Sequence, residues 1–178
     1  MVGLWGASSL VRSIQQGSIT PGANASATAT ISAVDVNHAV AWKLGQLGGA
    51  SDASNRCTGL TLTNATTVTL SKGTATDAGV TARFVVVEFA PGLIKSIQYA
   101  TCTIAHASTS ATATIAAVDT AKTYLVHNGS TYNTAGAQLA TYWDIEIAAT
   151  DPTTVTATRG NTQDGDAPVV WFVVVELF

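Results

Sequence analysis

The sequence is short of charge. Of its 178 residues only 11% are Asp, Glu, Lys or Arg, against about 25% in ordinary soluble domains. The eight Lys and Arg are scattered and the formal net charge is −3. No basic stripe is present to neutralise phosphates, which argues against a nucleic-acid partner. Cysteine is scarce too: Cys57 and Cys102 are too few for a disulfide scaffold or a metal knuckle, and read as two free thiols. No apolar run approaches the ~20 residues of a membrane-spanning helix, so no membrane partner is expected. The longest run, Val169 to Phe178, has the length of a strand. The first 16 residues have no positive charge ahead of their short apolar stretch and no cleavage signal, so a secretory leader is not expected.

Ala, Thr, Ser, Val and Gly fill the space that charge leaves. A neutral Ser/Thr surface is one reading of such a composition. A surface buried in an assembly is the other, and the positive mean hydropathy of +0.29 favours it.

The chain repeats itself. Val11-Arg12-Ser13-Ile14-Gln15 returns as Ile94-Lys95-Ser96-Ile97-Gln98. Ser26 to Asp35 (SATATISAVD) returns as Ser110 to Asp119 with one substitution. Thr66-Thr67-Val68-Thr69 returns at Thr153 to Thr156, and Phe-Val-Val-Val-Glu closes both halves at Phe84 to Glu88 and Phe172 to Glu176. The offsets are 83, 84, 87 and 88 in that order, as small loop insertions in the second copy would produce. Four ordered blocks mark a duplication. The boundary falls at the turn Ala90-Pro91-Gly92, which gives an arm at 1–10, a first copy at 11–90 and a second at 91–178. So short a connection predicts rigid apposition. In the arm, Leu4 and Trp5 form an apolar hook suited to an interface.

Short alternating runs of Thr, Val and Ile between Gly, Asn, Asp and Pro predict strands and no helix of length. The first copy reads as strands near 11–20, 26–34, 39–45, 57–63, 66–72 and 80–89. The second reads as strands near 94–104, 110–118, 122–127, 138–148, 153–159 and 168–177. The fold class is all-β, two tandem copies of a small antiparallel β-sandwich. Each closing strand, Phe84 to Val87 and Phe172 to Val175, is apolar on both faces, which predicts a central strand covered on both sides.

No catalytic, cofactor-binding or metal-ligating constellation emerges. Asp35 and Asp119, kept by the duplication, each stand alone after a strand, where Asp caps a turn. Glu88 and Glu176 pair naturally with Arg12 and Lys95, as a link between first and last strands. His38, His106 and His127 share neither repeat position nor ligand spacing. Asp164 and Asp166 lack the other ligands of a calcium loop. Asn24, Asn64 and Asn128 begin Asn-x-Ser/Thr triplets that chance explains in so Ser/Thr-rich a chain. Of the tryptophans, Trp42 and Trp171 suit core or interface. Trp143 beside Tyr142 is the pair to consider for carbohydrate contact. The expectation is a non-enzyme without cofactors.

The ordered blocks resemble short β-domains of uncharacterised structural proteins of tailed phages. That resemblance covers nearly the whole chain and implies a virion component made in the host cytoplasm, with other virion proteins of capsid or tail as partners. Small size and a short rigid linker suit a capsid decoration or cement protein that is a homo-oligomer. A trimer, whose six domains would mimic a hexameric ring, is one such arrangement. A tail or baseplate component and a carbohydrate-binding receptor-recognition module are the alternatives.

Overall fold

The computed structural model describes residues 10–48, 57–75, 79–132, 144–162 and 167–178. Strands account for nearly all of its regular structure. The first half carries β1 (Val11–Ile19), β2 (Ser26–Thr30), β3 (Ala39–Leu47), β4 (Thr58–Asn64), β5 (Thr67–Lys72) and β6 (Thr81–Phe89). The second carries β7 (Ile94–Thr103), β8 (Ser110–Thr114), β9 (Thr123–Thr131), β10 (Ile145–Asp151), β11 (Thr154–Arg159) and β12 (Val169–Leu177). One 3-10 turn, Thr120–Lys122, precedes β9. The protein is all-β and its strand pairs are antiparallel.

Strand order repeats with the sequence. β1-β6-β3 in the first half corresponds to β7-β12-β9 in the second, and β2-β5-β4 corresponds to β10-β11-β8 read backwards. In each half, residues from both sets of strands meet in one apolar cluster. Phe84, Val86 and Ala41 pack with Leu60, Val68 and Leu70 in the first. Phe172, Val174 and Cys102 pack with Val155 and Ala157 in the second. Alternation places these residues: Ala27 and Ala29 turn inward while Thr28 and Thr30 face water.

The halves are not self-contained, as two separate sandwiches would be. β4 meets β9 through the bridge Gly59↔Gly129, so one six-stranded sheet, β2-β5-β4-β9-β12-β7, runs through both. A third cluster seals the junction: Val40, Trp42 and Phe89 of the first half pack on Ile94, Val126, Val173 and Val175 of the second. The Trp42 and Phe89 rings meet edge to face at 6.2 Å.

Several boundaries differ from the sequence reading for identifiable reasons. β2 ends at Thr30 because the amides of Ile31 and Val34 turn to the carbonyls of Thr66 and Ala65, each at 2.9 Å. Ile115 and Val118 repeat this toward Thr153 and Pro152 at 2.8 and 2.9 Å. β9 runs on to Thr131, because Asn128-Gly129 forms a bulge rather than a turn. β10 begins at Ile145, and residues 138–143 of the strand expected there lie outside the described residues. The closing strands also differ from each other. Phe172 to Val175 are all at most 1% exposed, but in the first half only Phe84 and Val86 are so deeply buried. Val85 and Val87 are half-buried, because the outer face of β6 is only partly covered.

Candidate functional site

The charged residues that the duplication kept form one bonded node in each half. Glu88, on β6, receives Ser13 Oγ at 3.2 Å, the Asp35 amide at 3.3 Å and Arg12 Nη1 at 3.3 Å. Glu176, on β12, receives Ser96 Oγ at 3.1 Å, the Asp119 amide at 2.8 Å and Lys95 Nζ at 2.8 Å. Those bonds satisfy a carboxylate only 2% exposed. The Lys95 hydrogen bond, with help from the Asp119 amide, holds the Glu176 carboxyl below its ordinary range. Asp35 and Asp119 cap their turns, accepting from the amides of Asn37 and Ala121 at 3.0 Å. Asp35 also pairs with His38 at 2.8 Å.

A second repeated bond escaped the sequence reading. Gln15 donates to the Ser32 carbonyl at 3.0 Å and accepts from the Ser32 amide at 2.7 Å. Gln98 does the same to Ala116, at the same two distances. The clamp ties the first strand of each half to the segment after its second. Its signal was the glutamine retained in both Ser-Ile-Gln blocks. Asn64 and Asp151 likewise accept from the amides of Thr66 and Thr153 in equivalent turns, at 2.9 and 2.7 Å.

Other expectations divide by location. Leu4, Trp5, Tyr142, Trp143, Asp164 and Asp166 lie outside the described residues. Cys57 and Cys102 are not joined in a disulfide, and Cys102 is buried. Asn128 is fully buried and so is not a surface acceptor for a glycan. Among the described residues no group of three His, Cys, Asp or Glu could hold a metal ion.

What the structure adds is the joint between the halves. The outer edge of β3 lies on the second half, which caps it with side chains. The Ala41 amide donates to Tyr99 Oη at 2.8 Å, Asn128 Oδ1 accepts from the Lys43 amide at 3.1 Å, and Asn128 Nδ2 donates to the Ala41 carbonyl at 2.9 Å. Lys43 Nζ donates to the Thr58 carbonyl at 2.6 Å. These residues differ between the halves, so the repeat gave no hint of them. Burial pushes the Tyr99 hydroxyl up and the Lys43 ammonium down to about 8.

The Lys43 shift carries a pH prediction. Between about 8 and its ordinary 10.5 the folded chain binds fewer protons at this site than the unfolded chain. Its contribution to stability therefore rises with pH across that window, by at most about 1.4 kcal/mol per pH unit. Urea unfolding at pH 8, 8.75 and about 9.5, below the tyrosine range, should show wild type gaining on Lys43→Met. A constant difference would mean that Lys43 is not desolvated.

Beside the joint, on the second half, opens a cleft of about 640 Å³ lined by His127, Asp144, Ile145, Glu146, Thr158 and Arg159. His127 stands exposed at its rim. Arg159 is 2% exposed. It donates from Nε to the Ser108 carbonyl at 2.9 Å and from Nη2 to the Ala105 carbonyl at 3.3 Å, while Nη1 finds no acceptor among the described residues. Lys72 takes the equivalent place in the first half and donates to the Gly22 carbonyl. The cleft thus offers one buried guanidinium and two exposed carboxylates, a polar surface suited to a protein edge.

Fold and site together define an all-β, antiparallel protein whose strand order repeats and whose repeated polar residues brace strands. Set against protein-family models, curated proteins and solved structures, the chain matches none. No helix among the described residues is long and apolar enough to cross a membrane.

Proposed function

We propose that the protein is a non-enzymatic structural component of a tailed-phage virion, in first place a capsid decoration or cement protein. The observation that carries this reading is what the duplication preserved. The repeated polar groups just described (Glu88 and Glu176, Asp35 and Asp119, Gln15 and Gln98) all bond strand to strand or close a turn. A duplicated structural element need keep only its bracing. Low charge and positive mean hydropathy suit a surface that ends buried against other virion proteins and further copies of the chain.

Purified particles of the phage encoding this chain provide the test, by protein mass spectrometry and particle reconstruction. The chain is expected at a fixed copy number on the capsid surface. Density on the tail or baseplate would favour the second reading, and absence from the particle would overturn both.

A further inference from the structure

The joint inside the chain uses each half differently, so the duplication leaves its two counterparts open. Within the chain, the end of β9 and the start of β12 lie against β4 and β5. Gly129 bridges to Gly59, and a Cβ on Gly59 would run into the Trp171 indole. A Cβ on Gly73 would collide with the Tyr132 carbonyl. Register identifies the counterparts. Gly59 pairs with Ser71, one residue before Lys72, as Glu146 pairs with Thr158, one residue before Arg159. Glu146 therefore stands where Gly59 does, and Gly160 where Gly73 does, and both line the 640 Å³ cleft. On the other side, Arg83 pairs with Gly45 across a bulge as Trp171 pairs with Gly129.

The first half's counterpart of the docking element is thus the end of β3 and the start of β6. Its outer side is exposed: among the described residues nothing lies within 4 Å of a Cβ on Gly45, and Leu44 and Leu47 are 58% and 79% exposed. The sheet face beside it is open too. Val40, Val87 and Ile14 form one row across β3, β6 and β1, and burial falls along it from full cover at Val40 to 60% exposure at Ile14. Val175, the counterpart of Val87, is fully covered by the intrachain joint.

The differences between the halves are complementary. Inside the chain a large ring, Trp171, covers a residue with no side chain, Gly59. At the open counterparts a cation, Arg83, replaces the ring and a carboxylate, Glu146, replaces the glycine, and both are exposed.

We infer that the first half of one chain docks into the β9–β10–β11 cleft of a second copy, with Arg83 set against Glu146 of the partner subunit. Each chain offers one docking element and one cleft, so the contact is head to tail. It closes into a ring or extends as a filament. The cation-carboxylate pair takes the place of the Trp-on-Gly contact, and apolar Leu44 and Leu47 supply buried area beside it. This joint follows from the duplication and does not depend on where the protein works.

Sedimentation velocity on the full chain across a concentration series tests it. Wild type is expected to assemble beyond the monomer. Arg83→Glu and Glu146→Arg should each raise the dissociation constant about tenfold or more, and the double exchange R83E/E146R should restore it to within about threefold. Both side chains are exposed, so at a dilution where all four proteins are monomeric their thermal midpoints should agree, separating assembly from folding. A wild type that stays monomeric, single variants that assemble as tightly as wild type, or a double variant no tighter than the singles would each overturn the joint. A chain that passes the charge exchange but is absent from virions would overturn the particle reading alone.

Discussion

Phe172→Ala is expected to destabilise the chain by about 3–5 kcal/mol, read as a fall in the urea midpoint at unchanged slope. The ring is 1% exposed and belongs to the cluster that joins both strand sets of the second half. Its strand is covered on both faces, with Val173, Val174 and Val175 fully buried, so the cavity left behind has little freedom to collapse. Phe84→Ala should cost somewhat less, because the outer face of β6 is only half covered and can relax. Either loss is a large part of the ~5–15 kcal/mol that holds a domain together. Asp35→Asn should be mild, since asparagine keeps the oxygen that accepts from the Asn37 amide. If the ranking came out reversed, with the Asp change abolishing function while the Phe changes were tolerated, Asp35 would be a chemical site and the structural reading would be wrong.

Gly129→Ala should be among the most damaging single methyls at the described glycines. The residue holds φ at +104°, where an L side chain is strained, and its Cβ would run into the carbonyl of Thr58. Strain at such a position costs about 1–3 kcal/mol, and the clash is with backbone, which cannot swing aside. The bridge to Gly59 is where the shared sheet passes from one half to the other, so the joint itself should open. Calorimetry should then resolve two transitions where wild type shows one. Gly45→Ala, the repeat-equivalent change, is also strained at φ +153°, but no described atom lies within 4 Å of its Cβ, so it should destabilise the monomer less and keep a single transition. Equal effects at the two glycines would mean that the joint does not hold the halves together.

Much of this architecture was legible in the residues. Period-two alternation with β-branched residues marks a strand wherever one face is buried, so Ser26 to Thr30 and Ser110 to Thr114 could be placed from pattern alone. The link between Arg12 or Lys95 and its glutamate, and the turns at Asp35 and Asp119, were equally readable, because the duplication kept both partners of each bond. Retention in two copies stands in for a comparison between chains.

Only the tertiary structure decided how the halves meet. Tyr99, Asn128 and Trp171 do their work against the other half, so their counterparts are different residues and no repeat marks them. The strand that the sequence ends near 127 runs on through a bulge at Asn128-Gly129, because β4 arrives beside it. Local pattern sets which faces of a strand are apolar. Which of those faces finds cover depends on segments far along the chain, and so Val175 is buried while its twin Val87 is left half open.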